Sequence, residues 1–207
     1  MNQYLGIDIL EIEGDGGEPR EDSFGRSFKL IGPITGKSIS DDPVGVSAAI
    51  REYLWTGINA THVQALKDFV DARKGRARAF WMHTFEEDMK ITAAALSGQS
   101  SIEVEAIGYA ANLFPGSGAR RHVAIINRVT GLTLLKKVIA AENLLNGNES
   151  LSFDSPLSQA ISGSAQWRVS FLRLCRLEDD SISITFAGRG YASAKIRARE
   201  IPLEAPV

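Results

Sequence analysis

The spacing of apolar residues divides the chain into one short helical stretch and a long series of strands. Val63, Leu66 and Val70 recur at three- and four-residue steps, and Phe69 widens the stripe, as on one face of an amphipathic helix. Thr61-His-Val-Gln64 fits a capping box, in which a hydroxyl and a side-chain amide satisfy the first free backbone N–H groups. At the other end Arg73-Lys74 precedes Gly75, as expected where cations face the carbonyl end and glycine takes a left-handed conformation. The pattern predicts a helix over 62–74.

Around that helix the period changes from 3.6 to 2. Residues 46–56 are apolar and aromatic-rich (Ile50, Tyr53, Leu54, Trp55) and read as a strand. Residues 76–82 read as a second strand, wet through Arg76 and Arg78 and entering a core at Phe80, Trp81 and Met82. Residues 91–95 fit a further short strand. From Gly98 onward short β-rich runs fall at 102–107, 122–127, 132–141, 149–153, 167–177, 181–187 and 192–201. Turn-forming sequences separate them, among them Pro115-Gly-Ser-Gly118, Asn146-Gly-Asn148 and Gly188-Arg-Gly190. The last pair alternates cleanly: Ala194, Ile196 and Ala198 against Lys195, Arg197 and Arg199, with Ile182, Ile184 and Phe186 sharing one face of the partner strand. Such spacing predicts a mainly β fold of the α+β kind, a sandwich or barrel with one packed helix.

The first 45 residues are less regular. Tyr4 to Ile12 alternates loosely, Phe24 to Ile34 holds room for one short strand, and residues 14–22 form a Gly-rich charged stretch expected to be mobile. The expected organisation is an arm at 1–45, a core built from 46–96 and 166–207, and an inserted β subdomain at 97–165.

Composition narrows the classes. Net charge is −2 over 207 residues, with 23% charged and 44% hydrophobic residues, so nothing drives the whole chain toward nucleic acid or anionic lipid. The first ten residues lack the basic start and apolar stretch of a signal peptide, and no apolar run approaches the ~20 residues that span a bilayer. One cysteine, Cys175, excludes an internal disulfide and reads as a buried thiol within a strand.

Candidate chemistry is sparse. His62, His83 and His122 are scattered without metal-ligand spacing and read as surface or turn residues. No nucleophile elbow or Walker loop is present. The stretch Pro115 to Arg121 offers glycines and two arginines to an anion but lacks the lysine and helix of a phosphate loop, so a β-turn is favoured. Glu86, Glu87 and Asp88 point in different directions on any backbone and read as a solvated turn rather than a cation site. Arg73, Lys74, Arg76 and Arg78 form the densest basic cluster. Phe80 and Trp81 follow it, which admits single-stranded nucleic acid, but a subunit contact with acidic partners such as Glu86, Glu87 and Asp88 is favoured. No catalytic residue, metal or cofactor is expected.

Val63 to Met82 resembles a pattern of distal-tail or minor tail proteins of siphophages and gene transfer agents, a helix reading "L-x-x-F-x-x-A-R-x-G-R" followed by a strand with Phe-Trp. Arg176 to Phe186 and Ala192 to Glu200 are similar to the closing hairpin of such proteins, and Arg120 to Ile126 shares their texture. The resemblance implies a tail-tube-like β-sandwich or barrel, no catalytic residue, no membrane, and a structural virion protein assembled in the host cytoplasm. It further implies a homo-oligomeric ring, sixfold in the family, joining tail tube to baseplate hub or tip, with nucleic acid only as passing cargo. Two rivals stand beside it: a tail-tip module recognising a host-surface glycan or protein, and a small enzyme. Tyr109, Phe114 and Phe153 are the aromatics that the insert offers a receptor.

Overall fold

Strand formation dominates the computed structural model, which describes residues 2–12, 22–25, 29–31, 39–41, 48–115, 120–162, 164–187, 191–201 and 204. The strands are β1 (Gln3–Tyr4), β2 (Ile7–Leu10), β3 (Asp22–Gly25), β4 (Lys29–Ile31), β5 (Ile39–Asp41) and β6 (Ala48–Ile58). After helix α1 (Ala60–Arg73) come β7 (Phe80–His83), β8 (Ser101–Val104), β9 (His122–Asn127), β10 (Thr133–Asn143), β11 (Glu149–Phe153), β12 (Trp167–Leu177), β13 (Ser183–Phe186) and β14 (Ala192–Glu200). The expected mainly β fold with one principal helix is what the chain forms. Of residues 14–22, expected to be mobile, 14–21 lie outside the described residues, as do residues 116–118 and 188–190 of two expected turns, while Asp22 opens β3.

Contacts divide the chain into two units: residues 1–13, 79–175 and 202–207 form the first, residues 14–78 and 176–201 the second. In the first, strands follow the order β1-β2-β7-β12-β9-β10-β11-β8. The segment after β7 bridges to β12, from Met89 to Val169, and to β8 at the end of the order, from Ile91 to Val104. Inside lies an apolar core that includes Met89, Ile91, Val123, Ile125, Val138, Leu151, Trp167, Val169 and Phe171. Alternation along β10 explains the choice of face: Leu134, Lys136 and Val138 are buried while Thr133, Leu135 and Lys137 are half-buried on the other side. Lys136 remains inside because its ammonium donates to Ser155 Oγ at 2.9 Å and to the Pro156 carbonyl at 2.8 Å.

In the second unit β13, β14, β6 and β3 lie side by side, each antiparallel to the next. β14 alternates as its sequence predicts, with Ala194, Ile196 and Ala198 buried and Lys195, Arg197 and Arg199 exposed. β13 departs from expectation: Ile184 is half-buried and Phe186 is 66% exposed, so the strand has no buried face. Helix α1 buries Val63, Leu66, Phe69 and Val70, the stripe read from spacing. Its cap is Asn59 rather than Thr61: Asn59 Oδ1 accepts from the His62 N–H at 3.0 Å, so the helix begins two residues before its expected start. A carboxamide at the true N-cap position does the work of the expected hydroxyl. Residues 76 and 77, expected in the wet half of a strand, instead belong to a 3-10 turn over Gly75–Ala77, and pairing begins only at Phe80. Lys74 and Gly75 both take left-handed conformations (φ 51° and 62°), which reverses the chain before it can extend.

Candidate functional site

Two places carry convergent polar groups, one in each unit. In the second, the basic cluster is spread over the helix end and the turn behind it. Arg73 is buried, its guanidinium 5.1 Å from the centre of the Phe69 ring, and its pKa is lowered by burial and by Arg78. Arg76 faces outward and takes both oxygens of Asp180 in a bidentate pair at 3.2 Å, while its backbone N–H donates to Asp180 Oδ1 at 3.0 Å. Gly75 permits this approach, since a Cβ there would meet Asp180 Oδ1 at 2.3 Å. These contacts hold the Asp180 carboxyl below its ordinary range and raise Arg76. Lys74 and Arg78 are exposed, and among the described residues neither forms an ion pair.

Among the acidic residues expected to face this cluster, Glu87 and Asp88 have partners within the first unit. Glu87 pairs with Arg128. Asp88 Oδ2 accepts from the Thr84 hydroxyl and, at 2.8 Å, from the Phe171 N–H, which fixes the segment leaving β7 against β12. Glu86 is exposed and offers its carbonyl to the Ser170 hydroxyl. The trio is therefore a hydrogen-bonded corner of the first unit rather than a solvated turn. In the second unit the cations are met by Glu52, Glu178, Asp179 and Asp180: Lys195 pairs with Glu52, Arg199 binds Glu178 in a fork at 2.6 and 2.7 Å, and Arg197 lies 3.8 Å from Asp179.

The first unit holds a cleft of about 670 Å³. Its floor is formed by Arg168 on β12, Ile126 on β9 and His83 on β7. One wall comes from the β1–β2 hairpin and its exit (Asn2, Gln3, Ile9, Glu11), the other from the start of β10 and the turn before it (Leu132, Thr133, Leu135). Register explains the grouping: Arg168 pairs with Ile126 and Ile126 with Thr133, so the three form one cross-strand row. Their neighbours Val169, Ile125 and Leu134 belong to the core, which places the row on the opposite side of the sheet. Arg168 Nη1 donates to the Phe85 carbonyl at 3.2 Å, and Asn2 Nδ2 donates to Glu11 Oε1 at 2.7 Å.

The histidines require correction. His62 is exposed, but His83 and His122 are 7% and 0% exposed, because both lie on strands buried on both faces. His122 packs 4.8 Å from the Trp81 ring and its Nδ1 lies 3.1 Å from the Tyr4 hydroxyl. Burial, with Asp154 nearby, pushes the Tyr4 hydroxyl's pKa well up, so it stays protonated. Tyr109 and Phe153 are likewise interior, 0% and 2% exposed, and Phe114 is half-buried, so these aromatics do not form a receptor-facing patch.

The cleft residues escape sequence reading because Glu11, His83, Thr133 and Arg168 come from four distant segments with no common spacing. One signal was present: Arg168 is a cation at the second position of an otherwise apolar strand start. Among the described residues no group of three or more His, Cys, Asp or Glu side chains is placed to hold a metal ion, and no helix is long and apolar enough to cross a membrane. Neither a protein-family model nor a curated protein sequence matches the chain.

Proposed function

We propose that the protein is a structural, non-enzymatic subunit of a phage tail, forming a homo-oligomeric ring at the distal tail or baseplate that links tail tube to tip. The observation that carries this reading is the open sheet of the second unit. Among the described residues its strands alternate in direction through β13, β14, β6 and β3, so β13 and β3 at the two sides run oppositely. β3 of one copy laid beside β13 of the next would continue the antiparallel pattern without interruption. Two different edges that fit one another make a head-to-tail contact, the kind that closes into rings.

The β13 edge is suited to such pairing. Among the described residues it pairs with β14 alone, it carries no charge from Ser183 to Phe186, and Phe186 and Tyr191 stand 66% and 62% exposed beside it. Exposed uncharged edges invite strand addition unless a charge blocks them. Lys74 and Arg78 remain available for a neighbour or a tail partner, with Arg76 engaged by Asp180 within its own unit.

Light scattering on the purified full chain and electron microscopy of its assemblies test the reading. A ring of defined stoichiometry is expected, and Thr185→Lys on the β13 edge should convert it to folded monomers. A wild-type chain that stays monomeric at high concentration and is absent from tail particles would overturn the proposal.

A further inference from the structure

We propose that the cleft of the first unit binds a small hydroxylated carboxylic acid of the sugar-acid type, its carboxylate taken by Arg168 and its hydroxyls by the Glu11, Asn2 and Thr133 groups of the walls. The volume, about 670 Å³, falls within the roughly 300–1,000 Å³ of small-molecule sites. Charge is arranged in depth rather than mixed. Among the described lining residues the one guanidinium, Arg168, is half-buried beside Ile126, while the one carboxylate, Glu11, is exposed. Arg168 donates to the Phe85 carbonyl and Glu11 accepts from the Asn2 amide, which lowers the cost of ordering both groups when ligand enters.

This arrangement selects a ligand class. A guanidinium against aliphatic surface favours a planar carboxylate that accepts two parallel N–H bonds. A second anion on the same ligand would meet the Glu11 carboxylate, which disfavours phosphates and polyacids. Glu11, as an acceptor, and the Asn2, Gln3 and Thr133 side chains, as mixed donors and acceptors, match hydroxyl groups, each of which both gives and takes a hydrogen bond. Ile9, Leu132 and Leu135 supply apolar surface for the C–H faces of a sugar ring. A purely apolar acid would leave the polar wall unmatched. The site is independent of ring assembly, since all its groups belong to the first unit of one chain.

The test uses the full chain with D-glucuronate, D-glucose and inorganic phosphate as probes, followed by backbone amide NMR shifts and calorimetry. Glucuronate is expected to shift the amides of Gln3, Gly131, Thr133 and Arg168 saturably, and glucose to bind at least tenfold more weakly. Arg168→Gln should weaken glucuronate at least tenfold. Should that variant fold poorly, Leu135→Arg, at a half-buried wall position, blocks the cleft from its rim and must abolish binding. An unshifted spectrum with glucuronate overturns the proposal, as does equal binding of phosphate or undiminished binding by Leu135→Arg. Failure of glucuronate in a chain that still forms rings removes the site alone; binding in a chain that never forms them removes the ring alone.

Discussion

The two units are both built of strands, yet they accommodate polar groups in opposite ways. In the first, polar side chains are drawn inward and made to hold loops. Glu149 is 0% exposed and accepts from the N–H groups of Ile107 and Ala110, anchoring the π-helical turn at Tyr109–Leu113. The Tyr109 hydroxyl, pushed well above its ordinary pKa by burial, donates to the Arg120 carbonyl at 2.9 Å. In the second, Arg73 and Glu200 are buried, but the charges along β14 and its neighbours stay outside as ion pairs across one exposed strand surface, with Ala194, Ile196 and Ala198 facing inward. Backbone amides buried without a partner are expensive, whereas exposed ion pairs exchange one good solvent for another. Equal numbers of polar contacts therefore carry unequal weight in the two units.

That contrast can be broken most sharply at the apolar centres, where no difference between units is expected. Phe171→Ala in the first unit and Phe69→Ala in the second remove rings that are 4% and 3% exposed, and each should cost about 3–5 kcal/mol in denaturant unfolding. A much smaller loss at Phe69 would mean that α1 contributes little to its unit. Next comes the inward polar group: Glu149→Ala orphans two amides at about 1–3 kcal/mol each, and should also raise hydrogen exchange at Ile107 and Ala110. Asn59→Ala should cost about 1 kcal/mol by loss of the α1 cap, read from the same unfolding curves.

The smallest effect belongs to the outer ladder. Glu178→Gln, which weakens the fork to Arg199, should cost about 0.2–1 kcal/mol and less at high salt. Its pH dependence has a definite sign. The hydrogen bond from Arg199 holds the folded Glu178 carboxyl below its unfolded value, so its contribution is present above the ordinary glutamate range and is lost as pH falls through the lower folded value. The variant should therefore lose that amount at neutral pH and converge with the wild type in acid, which flattens the acid limb of the stability profile. A loss at Glu178 as large as that at Glu149 would erase the distinction between the units.

Local periodicity was enough for much of this. The stripe Val63, Leu66, Phe69 and Val70 and the alternation of β14 are consequences of which side chains leave water, and side-chain spacing records that directly. The strands at 122–127, 149–153 and 167–177 were readable to the residue for the same reason. Start and stop signals were less secure: Asn59 and Thr61 are both good caps, and only the backbone conformation at Asn59 (ψ 171°) selects between them. The turn at 75–77 was hidden because its decisive contact, Asp180 to the Arg76 backbone, joins residues 104 positions apart.

The sequence by itself determined the mainly β character, the place of the principal helix, and the buried faces of that helix and the last strand, because each depends on neighbours within a few residues. Tertiary structure decided which strands adjoin, that Glu87 meets Arg128 and Arg76 meets Asp180, that His83 and His122 lie inside, and that Glu11, Thr133 and Arg168 line one cleft. The physical reason is the range of the interactions. Burial periodicity is fixed by the geometry of one backbone segment, while a charge finds its partner only after strands remote in the chain have paired.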